Sequence, residues 1–343
     1  MQSSQPLVSP PCWSGQPHSA KQARRELRRT CNGLGLLLFC CSMGYMASSL
    51  LLPKFLNLIG YQGSLLYANY GYLQPTLYYL LKGAAFCISF FLTGLLYLPA
   101  ARMPLSRSLP SQKVKPSVWI ALLFMGFAMA LMANLPVNWI GDWIDALFPQ
   151  TPSTPAPSVS SAVALSVPAI VLYVVRSTVL PAFYEEFIFR GILLGQLRRY
   201  GDSLAIVVSA FFFGIFHSSP KQVPFAFLVG LVLAFIVVRT NHIWLSCAIH
   251  FCNNAFACFP DVLKPILSTQ TYQLVYSCTF YGVMIVGALA ALFLLWKHRS
   301  FFLPVFPART VLSLPGRLAA ICTAPALWLS ALYCAAETVF PWF

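Results

Sequence analysis

Charge is what this sequence has least of. Only 9% of its 343 residues are Asp, Glu, Lys or Arg, where an ordinary soluble domain carries about a quarter. Just 8 residues are acidic, while 58% are hydrophobic. So few polar groups cannot cover a water-exposed surface, which excludes a soluble globular domain. Period-two alternation is also missing from the apolar runs, which excludes a membrane-spanning barrel. That leaves helices whose backbone groups pair internally within lipid, and the fold class is all-α, a polytopic transmembrane bundle. No convincing internal repeat or soluble domain is found. The 11 cysteines lack metal-ligand spacing, and most, such as Cys40, Cys41 and Cys87, lie inside apolar runs as small packing residues. The net charge of +14 would suggest nucleic acid in a soluble protein. Here the basic residues fall between apolar runs, where topology and anionic headgroups account for them without nucleic acid.

A spanning helix needs about 20 apolar residues. Leu34–Leu56, Leu77–Ala100 and Trp119–Leu135 meet that length, and Val163–Leu180 is a fourth run that could continue past Pro181 to Leu197. Three shorter runs follow, Leu204–Phe216, Pro224–Val238 and Ile243–Phe259, and Tyr276–Trp296 and Leu318–Ala336 close the series. Eight to nine spans are therefore expected, with short runs open to being tilted or re-entrant. The first apolar run is too long for a cleaved signal peptide, so a retained helix is expected. The organisation read from these runs is a basic cytoplasmic segment 1–33, membrane helices 34–135, a Pro/Ser-rich external loop 136–162, a motif-bearing membrane core 163–260 of about four helices, and C-terminal helices 261–343.

Lys and Arg give the loops their sides. Lys21, Arg24, Arg25, Arg28 and Arg29 precede the first span; Arg102, Arg107, Lys113 and Lys115 follow the second. Arg198 and Arg199, then Arg239, then Lys297, Arg299, Arg309 and Arg317 complete five groups. With nine spans all five share one side, which predicts a cytoplasmic N-terminus and places Asp142, Asp145 and Pro149–Ser161 outside. A bacterial plasma membrane is the expected location.

An ionisable residue at membrane depth is costly and points to function. Two of the few acids are adjacent, in Phe183-Tyr-Glu-Glu-Phe-Ile-Phe-Arg-Gly191. On a helix they point about 100° apart. Glu186 and Arg190, four residues apart, share a face and can pair, which leaves Glu185 free to act. An apolar, partly wet surrounding makes a carboxylate a better base. Phe213-Gly-Ile-Phe-His217 and His250-Phe-Cys-Asn-Asn254 each place two residues on one helical face. One carboxylate, two imidazoles and an amide can then converge from three helices, supplying a base for water and donors for an oxyanion.

Glu-Glu-x-x-x-Arg, Phe-x-x-x-His and His-x-x-x-Asn, in that order on successive membrane helices, resemble the CPBP family of CAAX proteases and bacteriocin-processing enzymes. The resemblance covers roughly Val163–Phe259. It implies an intramembrane glutamate-dependent endopeptidase acting on prenylated, leader or other membrane-associated peptides. By the same resemblance Glu185 activates water with His217 assisting, His250 and Asn254 form the oxyanion hole, and Glu186 and Arg190 take a supporting role. A glutamate mechanism requires no cofactor. A zinc site of Glu185, His217 and His250 is the metal alternative, although no His-Glu-x-x-His is present.

Two other functions fit some of these residues. Intramembrane Glu, His and Arg also suit a proton-coupled transporter, and a non-catalytic scaffold could retain the same motifs. Singly, His217 and His250 could be a helix-end and a core histidine, while His242 and His298 read as interfacial and solvated. Arg176 reads as a residue snorkelling to the outer interface, with a cavity counter-ion as the alternative. Trp139 and Trp143 read as interfacial anchors.

Overall fold

The computed structural model describes residues 19–58, 75–147, 167–303 and 310–339. The Pro149–Ser161 stretch and the first 18 residues lie outside them. Among the described residues all regular structure is helical. Ten helices carry the fold: α1 Ala20–Leu58, α2 Thr76–Ala100, α3 Pro116–Trp139, α4 Val167–Tyr200, α5 Asp202–Ile215, α6 Gln222–Thr240, α7 Ile243–Ala257, α8 Thr269–Lys297, α9 Leu314–Cys322 and α10 Pro325–Val339. Within the described residues each of the nine apolar runs becomes helix. Six helices are long and apolar enough to cross a membrane, and α9 with α10, bent by 65°, makes up to seven. The chain is thus an integral, multi-pass membrane protein. The expectation of eight to nine spans counted two runs that form the 14-residue α5 and the 15-residue α7. At about 1.5 Å per residue these reach about 21–23 Å, short of a hydrocarbon core of about 30 Å.

Three helices depart from their sequence outlines for physical reasons. α1 begins well before its apolar run because Ala, Lys, Arg, Glu and Leu all favour helix, so the basic segment continues the span itself. α4 runs unbroken past Pro181. Proline removes an amide donor and clashes with the preceding turn, and α4 flanks it with two widened π-type turns, Val175–Val179 and Phe187–Leu194. Such turns let a helix absorb a misfit and recur at functional sites. Leu318–Ala336, outlined as one run, breaks before Pro325 into α9 and α10.

The five basic groups gather at one end. Arg199 donates to Thr30 Oγ1 at 2.9 Å, Arg317 to the Tyr200 carbonyl, and Arg239 to the Ser300 carbonyl. Gln112 N donates to the Asn241 carbonyl at 3.1 Å, tying the second basic connection to the α6–α7 turn. These contacts put on one face the groups that charge distribution assigns to one side.

α4 is the organising helix, packed against α2, α5, α6 and α7. Every residue from Phe187 to Leu194 is buried. α5 and α6 pack closely because Gly214 stands at their crossing, where a Cβ would lie 2.9 Å from the Val223 carbonyl oxygen. That approach sets the end of α5, and so the position of His217.

Candidate active site

The adjacent carboxylates of α4 diverge as helical geometry requires. Glu186 points into the core and is fully buried. Its Oε1 lies 3.1 Å from Arg190 Nη1 and accepts a hydrogen bond from His250 Nδ1 at 3.0 Å. Glu185 turns the other way, onto the wall of a cavity of about 1100 Å³, and its Oε2 has no hydrogen-bond partner. His250 bridges the two: its Nε2 faces Glu185 Oε2 at 3.9 Å while Nδ1 is held by Glu186.

Arg190 is as buried as the carboxylate it meets. Its guanidinium carbon lies 4.0 Å from the centre of the Phe213 ring, and Nη2 reaches the Gly230 carbonyl at 3.5 Å. Phe213 sits at the centre of this arrangement, edge-to-face with His250 at 5.6 Å and with His217 at 4.9 Å. The buried ring covers the guanidinium and packs against both imidazoles. Sequence spacing placed Phe213 and His217 on one face without assigning the phenylalanine this contact with Arg190.

His217 closes α5, with Nδ1 2.8 Å from the Phe213 carbonyl. A carbonyl only accepts, so Nδ1 carries the proton and the neutral ring presents the Nε2 lone pair. His217 lines the same cavity as Glu185. The next residue, Ser218, has a left-handed backbone with φ of 46°, a strained state for a residue with a Cβ. It is held there from another part of the chain: Ser218 Oγ donates to Glu337 Oε2 of α10 at 3.2 Å, and Tyr333 Oη donates to Oε1 at 2.6 Å. The motifs gave no sign of Glu337, since it lies far along the chain in a helix without a motif.

α7 brings His250, and one turn later Asn254 reaches the cavity. Asn253, passed over in the sequence, also lines it and donates from Nδ2 to Asn254 Oδ1 at 3.3 Å. With its oxygen so engaged, Asn254 has its own amide hydrogens left to donate. The structure therefore brings Glu185, His217 and Asn254 to one cavity and sets the buried His250 behind Glu185, between it and the Glu186–Arg190 pair. The donors of Glu185, His217 and His250 do not converge on a point. Among the described residues no three His, Cys, Asp or Glu side chains form a metal-holding group, so these residues do not fit a three-ligand zinc site.

Residues 167–256 match the family model described as type II CAAX prenyl endopeptidase Rce1-like. The chain is 26% identical over 166 residues to YdiL of Bacillus subtilis (strain 168), a candidate membrane peptidase, covering 47% of this chain and 65% of that protein. It is 23% identical over 148 residues to the membrane-embedded CAAX protease MroQ of Staphylococcus aureus (strain USA300), covering 41% of this chain and 58% of that protein. The chain thus spans about three-fifths of the length of these curated relatives. No solved structure matches it.

Proposed function

We propose that this chain, which residues 167–256 place in the CPBP family, is an intramembrane endopeptidase that hydrolyses peptide bonds by glutamate-activated water. One observation carries the reading. In a chain with 8 acids, Glu185 forms no ion pair with Arg or Lys among the described residues; it lines a large cavity, and its buried Oε2 lacks a hydrogen bond 3.9 Å from an imidazole.

Each residue has a part in the reaction. Glu185 removes a proton from water as the oxygen attacks the scissile carbonyl, and His217 Nε2 accepts from the same water and orients it. The amide of Asn254 donates to the developing oxyanion. His250, set behind Glu185 with Nδ1 held by Glu186 and Nε2 facing Glu185 Oε2, positions the catalytic carboxylate rather than reaching the oxyanion. Protonated Glu185 then returns its proton to the leaving amine, which balances the hydrolysis. Glu186 and Arg190 touch no reacting atom; they fix the tautomer and position of His250. No step is routed through a metal, and no cofactor is required. The substrate is a peptide or membrane-protein segment presented from the bilayer. The basic end faces the cytoplasm, and the enclosing membrane is a bacterial plasma membrane.

Incubating the purified chain in detergent with a diverse pool of apolar peptides, and identifying new termini by mass spectrometry, tests this. The wild type yields new termini and Glu185→Gln, folded, yields none. Equal product from both, or none from the wild type, overturns the reading, and pH-dependent solute flux in liposomes lost in Glu185→Gln would point instead to a transporter.

A further inference from the structure

The same cavity holds a charge that hydrolysis does not use. Arg176 lies on its wall, half-buried, on the helix that carries Glu185. Its Nη2 donates a long 3.4 Å hydrogen bond to Tyr45 Oη. Among the described residues no carboxylate stands within ion-pair distance of it. A guanidinium keeps its charge at any working pH, and an unpaired charge at membrane depth is retained only at a cost in stability. The Arg176 side chain lines the cavity that Glu185 also lines. Among the described residues that line it, Glu185 is the one acid, and Arg176 and Lys221 are also on the wall.

The orientation follows from the helix. Nine residues of regular α-helix turn through about 900°, which would set Arg176 and Glu185 on opposite faces. The widened turn Val175–Val179 absorbs about one residue. The remaining eight leave the two side chains about 80° apart, and both reach one cavity. Along the axis they are separated by about 13 Å, the span of about four residues of extended peptide.

We propose that Arg176 is an anion subsite: it receives a carboxylate of the substrate peptide about four residues from the bond that Glu185 attacks. This rests on the peptidase reading. The substrate is therefore an apolar segment carrying one carboxylate at a fixed distance from the cleavage point. A free C-terminus and an Asp or Glu side chain supply the same recognition chemistry.

The test separates binding from cleavage. Full-length Glu185→Gln protein, immobilised in detergent, is offered a pool of apolar octapeptides made as C-terminal acids, as amides, and as amides with a single Asp or Asn at each position. Charged peptides should be retained about 10- to 100-fold over their neutral counterparts, the range for a charge-assisted hydrogen bond. Adding Arg176→Gln should erase that preference, and Arg176→Lys, which keeps the charge and loses the fork, should preserve part of it. Preference for acids over amides identifies a C-terminus, and preference for Asp over Asn at one position identifies a side chain. In the wild type the new termini should then fall about four residues from the carboxylate. Equal retention of charged and neutral peptides, no retention at all, or a preference that survives Arg176→Gln overturns the proposal. Carboxylate-dependent retention without cleavage by the wild type overturns the peptidase reading instead and leaves the subsite standing.

Discussion

Glu185 and Glu186 are neighbours in sequence, and exchanging each for glutamine should give opposite phenotypes. Glu186 is fully buried and meets Arg190 at 3.1 Å and His250 Nδ1 at 3.0 Å. Glutamine there leaves a buried guanidinium without its counter-charge, a loss of about 3–5 kcal/mol. At about 2–4 °C per kcal/mol, the melting temperature should fall by about 6–20 °C. Among the described residues the one charged-pair approach of Glu185 is 3.9 Å, to His250, and its Oε2 lacks a hydrogen bond. Glutamine there should change stability by less than about 1 kcal/mol and lower cleavage at least 10²- to 10⁴-fold, the scale of a lost general base. A third protein closes the comparison. Combining Glu186→Gln with Arg190→Met removes the stranded charge and should melt within about 1–2 kcal/mol of wild type, yet stay inactive because His250 has lost its anchor. Thermal unfolding followed by size-exclusion chromatography, beside the peptide assay, measures all three. A Glu186→Gln protein that melts with the wild type, or a double variant less stable than the single one, would refute the argument that a buried ion pair organises this site.

Other perturbations have equally definite outcomes. Glu337→Ala should release Ser218 from its left-handed backbone and lower kcat by about tenfold through misplacement of His217, and Glu337→Gln, whose carbonyl can accept one of the two bonds while its amide donates to the other hydroxyl, should recover part of it; equal rates in all three proteins would show that the grip of α10 is idle. Gly191→Ala would press a Cβ into the Ser108 carbonyl and should destabilise by about 1–3 kcal/mol, read as a lower melting temperature. Since Glu185, His217 and His250 form no metal-holding group, a strong chelator should leave peptide cleavage unchanged, and loss of activity restored by zinc would contradict the mechanism.

Much of this arrangement was legible because it depends on local helical geometry. Adjacent residues diverge and residues four apart meet, so the separation of Glu185 from Glu186 and the pairing of Glu186 with Arg190 could be read from spacing. The scarcity of acids singled the pair out. What spacing could not give lies in departures from a regular helix and in contacts between distant parts of the chain. Regular periodicity sets Arg176 opposite Glu185, whereas the widened turn before Pro181 rotates it into the cavity. His250 was drawn as an oxyanion donor, and the bond of its Nδ1 to Glu186 joins it as well to the supporting pair. The count of spans turned on α5 and α7, whose apolar composition signals membrane burial and whose length falls short of a crossing.

The link between Ser218 and Glu337, 119 residues apart, also sets an order of events. A chain made from its N-terminus has α4, α5 and α7 in place before α10 exists. Until that later helix has been synthesised and has docked against α1, nothing clamps the turn after His217. The nascent molecule would thus carry every motif of a hydrolase while lacking a settled catalytic turn, which would spare its own unfinished membrane segments, and those emerging beside it, from premature cutting.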